Sequence, residues 1–141
     1  MRPIHTFAII LLLSLLTACS GRSVDAEYNA DVCEELSIKI ERRDSLSQEE
    51  YTRMIGQNEA ILRYLVEQSK AIAEEPSGNR SGSWRQLLAD PEYLERFGYM
   101  FTLGSALYQA EAEGKLDKEN SRLYNNLDRY NKELADYSDK N

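Results

Sequence analysis

The feature that most constrains this chain is a run of apolar residues at helical spacing near its middle. The run follows Ser47-Gln48-Glu49-Glu50, which matches a capping box: the Ser47 hydroxyl accepts a backbone N–H while the Glu50 side chain reaches back. The pattern predicts a helix that begins after Ser47, continues to Glu75 and stops at Pro76. At about 1.5 Å per residue, about 28 residues form a rod about 42 Å long. Its apolar positions are Tyr51, Met54, Ile55, Leu62, Leu65, Val66, Ile72 and Ala73, interrupted by Asn58 and Ser69.

Two segments on either side of this run also show a helical pattern. From Ala30 to about Arg43, apolar residues recur three to four positions apart with charged residues between them. Further along, Asp90-Pro91-Glu92 is typical of a helix start, and Gly114 is typical of the position just past a helix end. We expect the buried side of this later helix to carry Leu94, Phe97, Phe101, Ser105 and Tyr108.

The last helix is predicted to begin at Asp117, whose side chain would cap it. Its apolar seam alternates spacings of four and three over barely three heptads, which is typical of a bundle helix. The seam consists of Leu116, Asn120, Leu123, Leu127, Tyr130, Leu134 and Tyr137.

Between the two central helices, the glycine- and serine-rich residues 76–83 are expected to form a mobile loop. A short helix from Trp84 to Ala89 would follow it. The chain shows no long alternating strand pattern and no repeat at a fixed period. The predicted fold class is therefore all-α, an antiparallel bundle of about four amphipathic helices formed by residues 29–141.

The beginning of the chain carries a pattern of a different kind. The apolar run from Phe7 to Leu16 is roughly half as long as a bilayer-spanning helix, and such a run is typical of a signal peptide. Leu16-Thr17-Ala18-Cys19 ends it and resembles the lipobox of bacterial lipoproteins. The resemblance implies that residues 1–18 are cleaved off and that the Cys19 thiol receives a diacylglyceryl group, with the new amine also acylated. An ordinary secretory signal with an unmodified Cys19 is the alternative.

The same resemblance implies a location. Two or more acyl chains hold a soluble domain stably on a membrane, and residues 19–28 would form the lipidated N-terminus and a polar tether. Ser20 stands where an aspartate would favour retention in the inner membrane of enterobacteria. We therefore expect a lipid-anchored protein of the bacterial outer membrane, facing the periplasm or the cell surface; a single-membrane bacterium would change this expectation.

Net charge limits the classes of partner. Removal of residues 1–18 takes away Arg2, so 16 basic and 24 acidic residues remain and the formal net charge is −8. Nucleic-acid phosphates would repel such a surface, and it gains nothing at an anionic membrane. We expect neither partner, and the membrane enters only through the N-terminal lipid.

Groups that commonly catalyse reactions or bind metals are scarce in the mature domain. His5, the only histidine, leaves with the signal peptide, which removes the usual general base near neutral pH. Cys33 is the only cysteine besides Cys19, so it is either a small buried hydrophobe or a thiol that pairs two protomers. The acids around Gly114 lack the spacing of an EF-hand loop. No catalytic residue, cofactor site or metal site is predicted.

Aromatic residues are the remaining candidates. Tyr51, Tyr108, Tyr130 and Tyr137 lie on the predicted buried stripes. Binding hot spots are enriched in tryptophan, tyrosine and arginine, so residues of these types away from the stripes are candidate partner-binding residues, with packing inside the bundle as the alternative. They are Trp84, Arg85, Tyr64, Tyr93, Tyr99 and Tyr124.

These observations predict a lipid-anchored, non-enzymatic helical domain that binds a protein partner in the cell envelope. It would capture an amphipathic helix or an extended segment between its helices. It is similar in size, anchor and helicity to pilotins, the small lipoproteins that escort secretin subunits. An immunity or inhibitor lipoprotein fits equally well. The pattern is also compatible with a structural envelope spacer or, least of all, a carboxylate-based cell-wall hydrolase, and it leaves the oligomeric state open.

Overall fold

The computed structural model describes residues 26–138, and all regular secondary structure within that range is helical. The expectation of an all-helical fold is therefore confirmed for these residues. The signal segment, Cys19 and most of the predicted tether lie outside them. The helices are α1 (Ala30–Glu41), α2 (Gln48–Ala73), α3 (Ser77–Leu88), α4 (Pro91–Ala112), α5 (Lys118–Asn125) and α6 (Asp128–Ser138).

Helix α2 lies at the centre of the bundle, and every other described helix packs against it. Residues 54–62 are all buried, so this part of α2 is enclosed on every side and has no solvent face. The two polar residues that interrupt its predicted stripe, Asn58 and Ser69, are 5% and 4% exposed. The sequence pattern showed one apolar side of α2, whereas the packing covers the other side as well.

The helix ends follow the predicted capping chemistry. Ser47 and Glu50 form the capping box, with the backbone N–H of each residue donating to the side chain of the other. Asp90 accepts from the backbone of Glu92 at the start of α4, and Pro91 occupies the first turn. Gly114 adopts a φ of 69°, the left-handed conformation that favours glycine after a helix end.

Residues 76–83 do not form the predicted loop. Helix α3 begins at Ser77 and includes both Gly78 and Gly82, so the predicted short helix begins seven residues earlier than expected. Helix α2 ends at Ala73, two residues before the predicted Glu75, and Pro76 takes the N-cap position of α3, where no side chain caps the helix. Leu87 of α3 is buried in the core. Packing of Leu87 in the core and of Trp84 against the core therefore stabilises a helix whose glycines disfavour it.

The predicted last helix is divided in two at residues 126–127, between α5 and α6. Its apolar seam is nevertheless buried or half-buried along its whole length, as expected. Asn120 is 2% exposed and pins α5 to the start of α2: its Nδ2 donates to the Gln48 backbone oxygen at 2.9 Å, and its Oδ1 accepts from Thr52 Oγ1 at 2.8 Å. The polar member of the seam therefore sets the position of α5 along α2.

The side of helix α4 that faces the core is not the side that was predicted. Its buried side is formed by Tyr93, Leu103, Leu107 and Ala110, which face the core. The residues predicted to be buried, Leu94, Phe97, Phe101, Ser105 and Tyr108, are exposed. Both sides of this helix are apolar, so hydrophobic periodicity alone could not identify the side that meets α1 and α2.

Candidate functional site

The outward side of α4 carries four large apolar side chains that no described helix covers. Leu94 is 49% exposed, Phe97 43%, Phe101 67% and Tyr108 70%. We call these four residues the α4 stripe. Nearly all of the other large hydrophobic side chains in the described residues are buried or half-buried, the exceptions being Ile38 and Leu88. A continuous exposed apolar surface of this kind is typical of an interaction site in a soluble domain.

A sequence signal for this surface exists. From Phe97 to Ala110 the chain has fourteen residues without a charged side chain, although 29% of all residues are charged. A helix that is apolar on all sides is usually enclosed on all sides. The absence of charge therefore indicated that the outward side of α4 also needs a covering surface.

A groove runs beside the α4 stripe, between α4 on one side and α5 and α6 on the other. We call it the α4/α6 groove; its volume is about 670 Å³. Asn58 and Leu62 of the central helix form its floor. Phe101 and Tyr108 line one wall, and Tyr124 and Leu127 line the other. The stripe and the groove thus form one continuous surface through Phe101 and Tyr108.

The floor of the groove contains a buried polar group without a partner. Asn58 is 5% exposed, and its Oδ1 has no hydrogen-bond donor among the described residues. A buried amide oxygen that lacks a donor costs about 1–3 kcal/mol. Gly104 lies over this amide: a Cβ atom at that position would come within 3.6 Å of Asn58 Nδ2, which is ordinary contact. The Asn58 amide therefore makes the floor of the groove partly polar, although its Oδ1 is covered by neighbouring atoms.

The segment that leads into α1 is fixed to the bundle by α2. Gln57 Oε1 accepts from the Asn29 backbone N–H at 2.8 Å, and its Nε2 donates to the Glu27 carbonyl at 3.0 Å. Arg63 Nη2 donates to the Ala26 carbonyl at 3.0 Å. The point at which the tether meets the domain is therefore held by side chains.

The same segment is also held by α4. The guanidinium of Arg96 lies 4.5 Å from the ring centre of Tyr28 and 4.1 Å from that of Tyr64. Tyr28 Oη donates to Glu95 at 2.6 Å. Burial, followed by the bond to Glu95 and its charge, raises the pKa of Tyr28, so this hydroxyl stays protonated and keeps donating. Residues 26–29 thus lie against the N-terminal part of α4.

The outward side of α3 forms a second surface. An open hollow of about 640 Å³ is lined by Trp84, Leu88 and residues of the same helix and its C-cap, with Arg80 and Arg85 at its edges. Leu88 is 55% exposed, and Trp84 is half-buried. The indole N–H of Trp84 has no acceptor among the described residues. No hydrogen bond of the domain therefore fixes the position of this ring.

The structure does not bring the six candidate partner-binding residues together. Tyr93 is 7% exposed and belongs to the core, and its ring packs 6.4 Å from that of Tyr64. Tyr99 packs against the core. Trp84 and Arg85 lie on the α3 surface, and Tyr124 alone of the six lines the α4/α6 groove. Of the four tyrosines expected in the core, Tyr51 and Tyr130 are buried and Tyr137 is half-buried, but Tyr108 is exposed.

Cys33 is fully buried, and its thiol contacts Gln57 Oε1 at 3.5 Å. Burial, with the charge of Glu95, raises its pKa to about 11. Because the sulfur is enclosed in the folded domain, a second protomer cannot reach it to form a disulfide. The structure therefore favours the interpretation of Cys33 as a small buried hydrophobic residue.

The acidic residues around Gly114 form ion pairs or hydrogen bonds with neighbouring groups. Glu113 pairs with Lys115 at 2.7 Å, and Glu119 pairs with Arg122 at 2.5 Å. These bonds hold the pKa of both carboxyl groups below the usual range. Residues 26–138 contain no group of three or more His, Cys, Asp or Glu side chains placed to hold a metal ion.

Within the described part of the chain, none of the helices combines the length and apolar character needed to cross a bilayer. No protein-family model, curated protein or solved structure matches this chain.

Proposed function

We propose that this protein is a lipid-anchored, non-enzymatic module that holds a protein partner at the bacterial outer membrane. The anchor is Cys19, and the partner binds to the α4 stripe and the α4/α6 groove. The observation that carries the proposal is the exposure of four large apolar side chains on one side of α4. Removing apolar area from water is favourable by about 25 cal/mol per Å², so a partner that covers these side chains binds more tightly by that amount.

The proposed occupant is an amphipathic helix of the partner with basic residues beside its apolar side. From Leu94 to Tyr108 the stripe extends over fifteen residues, or about 21 Å, the length of about four turns of a bound helix. The mature chain carries a formal charge of −8, and opposite charge on the partner increases the rate and selectivity of association.

A second copy of this chain is a weaker candidate for the same surface. Four aromatic or leucine side chains, each about half exposed, offer roughly 400 Å² per protomer, given the 150–250 Å² that an aromatic side chain can bury. A stable interface between two globular proteins takes about 800 Å² from each. A helix seated beside the stripe contacts both walls of the groove and so buries more area than two stripes facing each other.

Site-specific photocrosslinking in the native cell tests this surface. A photoreactive phenylalanine analogue at position 97, 101 or 108 should produce one adduct of the same mass from all three positions. The same analogue at Ile38, which is 39% exposed on α1, serves as the matched control and should produce none. Peptide mapping should place the crosslink in an apolar stretch flanked by lysine or arginine. An adduct made of two copies of this chain, or no adduct at all, would reject the proposal.

The purified pair provides the quantitative test. Phe97→Glu combined with Phe101→Glu should weaken binding of the identified partner by at least 100-fold, because two buried contacts are replaced by charges in an apolar interface. Ile38→Glu should change the affinity less than threefold. Equal losses in both variants would show that charge alone, and not the α4 stripe, governs binding.

The anchor is tested separately. The protein from native membranes should incorporate labelled palmitate, and Cys19→Ala should abolish both the label and membrane fractionation. An unlabelled wild-type protein would reject the anchor and leave the α4 surface untouched.

A further inference from the structure

The tether and α3 lie at the same end of the domain. Arg96 covers both Tyr28, in the segment that leads out of the tether, and Tyr64 of α2. The Tyr64 ring packs on Tyr93, one turn after the junction of α3 and α4. Cys19 lies seven positions before Ala26, so the chain between them spans at most about 25 Å. A lipid on Cys19 therefore keeps the end of the domain that carries α3 close to the bilayer.

The composition of α3 suits the boundary between headgroups and acyl chains. Ser77, Ser81, Trp84 and Leu88 fall on one side of the helix, with Arg80 and Arg85 at its edges. Tryptophan favours this boundary, and amphipathic helices with tryptophan or leucine beside arginine lie along it. Although the whole domain is acidic, α3 contains no Asp or Glu. The acids next to it are engaged locally: Glu75 accepts from Ser83, and Asp90 caps α4.

Helix α3 is also weakly supported by the domain. It has twelve residues, two glycines and no side-chain cap; Leu87 is its single buried residue, and Trp84 is half-buried against the core. A Cβ atom at Gly78 or Gly82 would meet nothing within 4 Å, so packing does not require glycine at either position. Short helices of this kind are marginal in water, and they gain stability from any surface that covers their apolar side.

We propose that α3 lies on the surface of the bilayer that holds the lipid anchor. Leu88 and the exposed edge of the Trp84 ring contact the headgroup boundary, and Arg85 and Arg80 contact lipid phosphates. The inference rests on the proposed lipid anchor and is independent of the partner that binds α4. Because the anchor already confines the domain to the membrane, a contact too weak to recruit a free protein is sufficient.

The single tryptophan of the chain makes this contact measurable, since all tryptophan emission comes from position 84. The lipidated full-length protein is reconstituted into vesicles of phosphatidylethanolamine and phosphatidylglycerol, with or without brominated acyl chains. We expect a blue shift of the emission on reconstitution and at least twofold quenching by the brominated lipid. Emission that is neither shifted nor quenched, from protein that floats with the vesicles, would overturn the inference.

Charge-reversal variants identify the residues involved. Arg80→Glu with Arg85→Glu should lose most of the quenching while still floating with the vesicles. The matched control, Lys118→Glu with Arg122→Glu, reverses two charges on α5 at the other end of α2 and should keep it. Because Arg80 Nε also donates to the Glu75 carbonyl, Arg85→Glu alone provides a variant that leaves this bond intact, and it should lose about half of the quenching.

The outcomes separate the two proposals. Protein that does not float has no anchor, and then the proposed function fails. Quenching that is equal in wild type and in both arginine variants, or absent from wild-type protein that floats, overturns the inference and leaves the proposed function standing.

Discussion

The orientation of α4 determines whether the protein has an exposed apolar surface, and a matched pair of substitutions tests it. Leu103→Ala and Leu94→Ala remove the same atoms from the same helix. Leu103 is 0% exposed and Leu94 is 49% exposed. If α4 were oriented as hydrophobic periodicity suggested, with Leu94 inward, the second substitution would be the more damaging one.

The expected magnitudes follow from burial. Leu103→Ala loses the whole transfer free energy of the side chain and leaves a cavity, which together cost about 3–4 kcal/mol. Leu94→Ala loses about half of a transfer free energy of about 2 kcal/mol, and water fills the space, so the expected loss is about 1 kcal/mol. For a domain of this size the corresponding falls in melting temperature are about 12 °C and about 4 °C.

Urea unfolding of the mature chain with Cys19→Ala, followed by helical circular dichroism, measures both losses. Phe101→Ala is a second test of the outward side: Phe101 is 67% exposed, so one third of its transfer free energy amounts to less than about 1 kcal/mol. Equal losses for the two leucine variants, or a larger loss for Leu94→Ala, would refute this orientation and with it the α4 stripe.

Three further predictions concern other parts of the bundle. Asn120→Ala should lower the free energy of unfolding by about 2–3 kcal/mol, since it removes the hydrogen bonds that the buried amide makes to Gln48 and Thr52; a loss under 0.5 kcal/mol in urea unfolding, well below that range, would contradict this. Burial raises the pKa of Cys33 to about 11, whereas the thiol of the unfolded chain titrates near 8.5. The contribution of the protonated thiol to the free energy of unfolding is therefore fully present below about pH 8.5 and is lost as the pH rises. Between pH 9 and 11 the free energy of unfolding should fall more steeply in wild type than in Cys33→Ala. Gly98→Ala should raise stability by about 0.5–1 kcal/mol because a Cβ atom there meets nothing, whereas Gly114→Ala should lower it by about 1 kcal/mol because of its positive φ; thermal melts that show the same sign for both would be inconsistent with these conformations.

Local rules predicted much of the helical framework. The capping box at Ser47, the Asp90-Pro91 start and the seam of the last helix depend on neighbours within a few residues, and the structure shows all three as expected. The proposed anchor at Cys19 also follows from the sequence alone, because a lipobox is a pattern of consecutive residues and does not depend on tertiary contacts.

What only the tertiary structure decided is which surface of each helix faces outward. Residues 97–110 carry no charged side chain on any side of the helix, so packing of Leu103 and Leu107 in the core, and not periodicity, decided that Phe97, Phe101 and Tyr108 face the solvent. In α3, the burial of Leu87 outweighed the local preference of its glycines. Both results come from packing between residues far apart in the chain, and both determine which side chains of α3 and α4 are exposed.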